Sequence, residues 1–87
     1  MASLLERRWT IAVIYASSEG VSRFNEFVAT LGAIPAATLA ARLAELEEAG
    51  LLRREVVQTR PPHSEYHLTE RGAELAPLIR ALAMFSR

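Results

Sequence analysis

A mainly α domain with one small β-hairpin is the fold this sequence predicts. Leu39, Leu43 and Leu46 recur at i, i+4 and i+7 in a segment that starts near Pro35 and stops at Gly50. Leu52 and Val56 then alternate with polar partners through Gln58, and Glu65 to Leu68 follows beyond Pro61 and Pro62, so these stretches read as two strands joined by a loop. Thr69 is positioned to cap a last helix. Helix, hairpin and capped helix, in that order, are how a winged helix-turn-helix domain is built.

The remaining elements are read in chain order. Ser3 with Glu6 three residues later is a capping-box signal, so the first helix is expected from Leu4 to about Ser18, before Gly20. Its centre, Trp9 to Ala16, is apolar all round and rich in Ile and Val. Propensity alone would allow a strand there, whereas the cap favours a buried helix. Gly20, Val21 and Ser22 allow a turn with a short extended stretch, and Ser22 is expected to cap a second helix from Arg23 to about Leu31. Phe24, Phe27, Val28 and Leu31 would share one face of it. Gly32 and Ala33 make the next turn, and Pro35 suits the first turn of the third helix because its missing N–H costs nothing there. With the leucines facing the core, the outer face is Ala37, Thr38, Ala41, Ala44, Glu45 and Glu48, with Arg42 on the flank. In the last helix Leu75, Leu78, Ile79, Leu82 and Phe85 form an apolar stripe, and Pro77 is expected to kink or divide it.

Composition narrows the function classes. An 87-residue chain fits one domain, residues 1–87, and a domain of this size buries only about 60 to 65% of its unfolded surface, so a dimer would help it. The absence of cysteine excludes a disulfide framework, a thiolate metal site and a thiol redox switch. No apolar run approaches the ~18 residues of a membrane span, and Met1 to Arg8 is too short and charged for a signal peptide, so a cytoplasmic protein with no membrane partner is expected. All ten basic residues are Arg, which hints at a GC-rich bacterial genome. His63 and His67 lie four apart in an expected strand and loop with no third ligand type near them, so no metal site and no cofactor are expected. The serines lack a His and carboxylate arrangement, so no catalytic residues are assigned and the chain is read as a non-enzyme. Trp9 and Tyr15 are read as core.

Four motifs arrive in one order: Arg8-Trp9-Thr10, Arg23-Phe24-Asn25-Glu26-Phe27, Leu39 to Leu51, and Arg60 to Thr69. Together they resemble the HxlR family of bacterial winged helix-turn-helix transcription regulators, over nearly the whole chain from about Leu5 to Leu82. The resemblance implies a DNA-binding transcriptional regulator acting as a homodimer on a pseudo-palindromic promoter site. Some members sense oxidants through a cysteine near the N-terminus, which this chain lacks. The expected partner is double-stranded DNA, contacted by Arg23, by Ala37, Thr38, Ala41 and Arg42 of the third helix, and by Arg53, Arg54 and Arg60 of the wing. The expected dimer interface is Leu4, Leu5, Leu75, Leu78, Ile79, Leu82 and Phe85.

Two features weigh against this assignment, the first against DNA binding and the second against direct base reading. The net charge is zero, where nucleic-acid domains usually carry a basic excess, although a hairpin with three Arg against Glu55 would still be positive. The third helix is poor in the Arg, Lys, Asn and Gln that bidentate base contacts need, and Glu45, Glu47 and Glu48 make its end acidic. An alternative is therefore a winged-helix protein-protein interaction module that has lost sequence-specific DNA readout. Another is a sensor with an unknown small-molecule effector bound at the dimer interface. Arginines on an exposed hairpin can also be simply solvated.

Overall fold

The computed structural model describes residues 4–85, with the side chains of residues 4–8 and 83 outside that description. The order is α1 (Leu4–Ser18), α2 (Phe24–Leu31), α3 (Ala36–Glu48), β1 (Leu52–Val57), β2 (His63–Leu68) and α4 (Glu70–Phe85). The expected Ser3 and Glu6 cap lies outside the described residues, as do the side chains of Leu4 and Leu5.

The all-round apolar segment of α1 is a helix because it is surrounded. It packs against α2, α3, α4 and β2, and Val13, Ile14 and Ala16 are buried within that ring. Phe27 of α2, Leu39, Leu43 and Leu46 of α3, and Leu52 of β1 complete the centre of the core, with Trp9 and Tyr15 packed against it. Burying one such Leu or Phe side chain contributes about 1.5 to 3 kcal/mol, so the leucine spacing of α3 decides which face of that helix turns inward.

The caps differ from the sequence expectation in one place. Arg23, not Ser22, occupies the N-cap of α2, and the anchor is the Glu26 carboxylate, which accepts the backbone N–H groups of Arg23 at 3.0 Å and Ser22 at 3.2 Å. These bonds hold the Glu26 carboxyl below its usual range. Thr69 caps α4 as expected, accepting the Gly72 N–H at 3.1 Å while its hydroxyl donates to the Gly50 carbonyl at 2.5 Å. Pro77 does not divide α4, which runs as one helix from Glu70 to Phe85.

The hairpin is antiparallel, with Leu52 opposite Leu68 and Val57 opposite His63. β2 starts two residues earlier than its apolar pattern indicates, because His63 and Ser64 are drafted into the ladder by pairing with Val57 and Val56. The extended stretch expected near Ser22 adds a short third edge: the Tyr66 N–H donates to the Ser22 carbonyl at 2.7 Å, and Arg23 bridges Glu65.

Gly72 fits where nothing larger does. A Cβ added there would lie 2.1 Å from the Leu51 carbonyl oxygen. That oxygen accepts the Thr69 N–H at 3.0 Å, so the start of α4 is clamped to the base of the wing.

Candidate nucleic-acid interface

Between α2 and α3 the chain turns by 118°, within the range of roughly 90 to 120° that separates the two helices of a helix-turn-helix. With its leucines inward, α3 presents Ala36, Ala37, Ala40, Ala41 and Ala44 to solvent. Sequence reading named Ala37, Ala41 and Ala44 and missed Ala36 and Ala40, so the exposed face is broader and more uniformly methyl than expected. Thr38 is half-buried. Glu45, Glu47 and Glu48 are all exposed at the C-terminal end, as expected.

Arg42 stands less free than its flank position suggests. Its side chain is only 12% exposed and its Nη2 donates to Glu45 at 2.8 Å. The Leu43 and Leu46 side of α3 is drawn into the core and takes the stem of Arg42 with it. Its neutralisation by Glu45 also lowers the positive charge available at α3.

The wing arginines are all exposed, but the strand geometry separates them. Successive side chains of a strand point to opposite faces, so Arg53 and Glu55 share one face while Arg54 and Val56 share the other with the buried Leu52. Arg53 stands 3.9 Å from Glu55. Arg54, opposite Tyr66, and Arg60, in the loop, have no ion pair among the described residues. Arg23 is exposed at the N-cap of α2, beside the bridge to Glu65.

The face that Arg53 occupies holds groups the sequence reading set apart. His63, Glu65 and His67 are alternate residues of β2 and therefore line one face, and the register places Glu55 directly opposite Glu65. The expectation that no third ligand type stands near the two histidines is thus corrected: period-two alternation and cross-strand pairing supply two carboxylates. His63 Nε2 lies 3.0 Å from Glu65 Oε2, and His67 Nε2 lies 3.0 Å from Glu65 Oε1 and 3.5 Å from Glu55 Oε1. The hydrogen bond to His63 is the main reason the Glu65 carboxyl is held below its usual range.

The five described residues of the expected dimer stripe divide. Ile79 is buried in the domain's own core and Leu75 packs against it, whereas Leu78, Leu82 and Phe85 are exposed, with Met84 beside them. A single period-3.6 stripe in the sequence therefore serves two faces. Arg80 fastens α4 to α1 by donating to the Ser18 carbonyl at 2.9 Å. No single helix among the described residues is long and apolar enough to cross a membrane.

Comparison with known proteins agrees with this geometry. The family described as HxlR-like helix-turn-helix matches residues 4–87. The chain is 32% identical over 83 residues to the HTH-type transcriptional regulator YvaP of Bacillus subtilis, covering 95% of this chain and 77% of that one. It is 34% identical over 82 residues to the HTH-type regulator sll1512 of Synechocystis, covering 94% of this chain and 61% of the relative. Among solved structures, the redox regulator HypR in its oxidized form superposes with a TM-score of 0.83 at 36% identity, covering 88% of this chain and 79% of that chain. The reduced form of the transcriptional regulator YodB from B. subtilis gives 0.80 at 32% identity, covering 95% of this chain and 81% of that chain. An α2–turn–α3 unit, a hairpin wing and these likenesses converge: the chain belongs to the HxlR-like helix-turn-helix family of transcriptional regulators.

Proposed function

We propose that the domain binds double-stranded DNA as a homodimer at a pseudo-palindromic promoter site, with the N-terminal half of α3 in the major groove and the wing along the backbone. The observation that carries this reading is the solvent-facing α3 standing at 118° to α2, a form that a major groove admits. Its alanine methyl groups suit apolar contact with thymine, and Thr38 is the polar group best placed to hydrogen-bond a base edge. Arg54 and Arg60 then supply phosphate contacts, which in such complexes provide much of the affinity.

The homodimer reading is supported by the exposed residues Leu78, Leu82 and Phe85, spaced i, i+4 and i+7 on α4. A second copy related by a two-fold axis would cover them and set two α3 helices about 34 Å apart, one DNA turn. The 87 residues contain no cysteine, so no thiol-based signal acts through them.

Fluorescence anisotropy with duplex DNA from upstream of the protein's own gene, at two salt concentrations, tests the reading. Binding that weakens steeply with salt is expected, and absence of binding at low salt rejects it. One observation favours a second reading. Glu45, Glu47 and Glu48 are exposed and Arg42 is occupied by Glu45, so the C-terminal half of α3 suits a basic protein partner better than phosphate. Failure to bind DNA at low salt by a folded protein favours that reading.

A further inference from the structure

The His and Glu cluster on the wing has no part in the reading above, and its geometry is that of a ligand set. One ligand atom each from Glu55, Glu65 and His67 lie within 4.8 Å of one another. Two ligands each about 2.0 to 2.1 Å from a tetrahedral zinc are separated by roughly 3.3 to 3.4 Å. His67 Nε2 already stands 3.5 Å from Glu55 Oε1 and 3.0 Å from Glu65 Oε1, so for the two pairs that include His67 small side-chain adjustments reach that spacing.

Two further observations point to a cation. Glu55 and Glu65 are directly opposite on paired strands, an arrangement that is destabilising for like charges unless positive charge stands between them. Arg53 only partly answers it, at 3.9 Å from Glu55 with both side chains more than half exposed. The second observation is the state of His63. Its Nδ1 is 2.9 Å from Thr59 Oγ1 while its Nε2 faces Glu65, so one ring nitrogen is held by a neighbour and the other is aimed at the cluster. That is how ligand imidazoles are usually oriented.

We propose that Glu55, Glu65 and His67, with His63 beside them, form a binding site for a divalent transition-metal cation of the zinc type on the wing. Mixed imidazole and carboxylate donors suit such an ion. Thr59, whose hydroxyl donates to the Pro61 carbonyl at 2.9 Å, links the site to the loop that carries Arg60. The ion would also reverse the charge of the face that Arg53 shares with two carboxylates. The effect of that charge on DNA rests on the DNA-binding reading, whereas metal uptake does not.

Zn2+ alone is the probe. Titration of the intact protein against a chromophoric zinc indicator should give one ion per chain. Glu55→Gln and His67→Ala should each weaken uptake tenfold or more, with circular dichroism unchanged. Glu55 is 51% exposed, so its variant tests the site without threatening the fold. No uptake by the parent, or uptake by both variants equal to the parent's, overturns the proposal. In a second arm, Zn2+ should tighten DNA binding by the parent and leave Glu55→Gln unaffected. Stoichiometric zinc uptake that both variants weaken, without DNA binding in any condition, supports the metal site and places the fault in the DNA reading.

Discussion

Replacing Gly72 by alanine sets helix propensity against packing, and the two predict opposite signs. In a helix interior Ala is favoured over Gly by up to about 1 kcal/mol, so propensity alone predicts a more stable protein. At this position, however, the new Cβ would meet the Leu51 carbonyl oxygen at 2.1 Å, and it would also touch the Leu68 side chain at 3.0 Å. Contacts between a Cβ and a backbone oxygen this short do not occur, so strand entry and helix start must separate by roughly 1 Å, an overpacking cost of about 1 to 3 kcal/mol. The Leu51 oxygen accepts the Thr69 N–H at 3.0 Å, and loss of that bond adds about 1 kcal/mol. Subtracting the propensity gain leaves a net loss of about 1 to 3 kcal/mol. For a domain of this size each kcal/mol lowers Tm by about 4 to 8 °C, so a drop of roughly 5 to 20 °C is expected. Thermal unfolding followed by circular dichroism, at one fixed protein concentration, measures it. Ala73→Gly on the exposed side of the same turn serves as control and should cost no more than about 1 kcal/mol. A Tm for Gly72→Ala equal to or above that of the parent would refute the clamp between α4 and the wing.

Four other outcomes are expected. Arg54→Ala with Arg60→Ala should reduce the slope of log K against log salt by about 1.8, which over a fourfold salt change is roughly a twelvefold difference; an unchanged slope removes both residues from the DNA contact. Leu78→Glu with Leu82→Glu, both exposed on α4, should convert a dimer into a species near the 9.6 kDa of one chain by light scattering, and a parent already of that mass rejects the dimer. Glu26→Gln keeps an acceptor but removes the charge whose folded pKa is depressed by the Arg23 and Ser22 N–H bonds. A depressed carboxylate stabilises above its ordinary pKa and loses that contribution as pH falls through the lowered value, so the parent's advantage over Glu26→Gln should vanish in acid urea titrations; an advantage constant with pH contradicts the assignment. Finally, a methyl-rich α3 should select A·T-rich duplexes in a binding-site selection, and a G·C-rich consensus rejects that mode of reading.

The order of elements is legible in the sequence because each carries its own local signal. Leu39, Leu43 and Leu46 mark the inner face of α3, Thr69 marks the cap of α4, and Leu52 and Val56 among polar partners mark β1. These signals act over one helical turn or one strand repeat, within the reach of pattern reading. Part of the outer α3 face, Ala37, Ala41 and Ala44, follows from the same spacing, whereas the exposure of Ala36 and Ala40 and the half-burial of Thr38 do not. Tertiary structure alone decided the remainder, because it depends on which strand residues stand opposite one another and which helix side meets the body. Register put Glu55 against Glu65 and gathered His63 and His67 beside them, residues that are eight or more positions from Glu55 in the chain. Docking of α4 against α1 buried Ile79 and left Leu78, Leu82 and Phe85 outside, dividing one apolar stripe between core and surface. The approach of Leu51 to α4 made glycine necessary at position 72, a requirement set by a backbone oxygen twenty-one residues earlier that no local pattern announces.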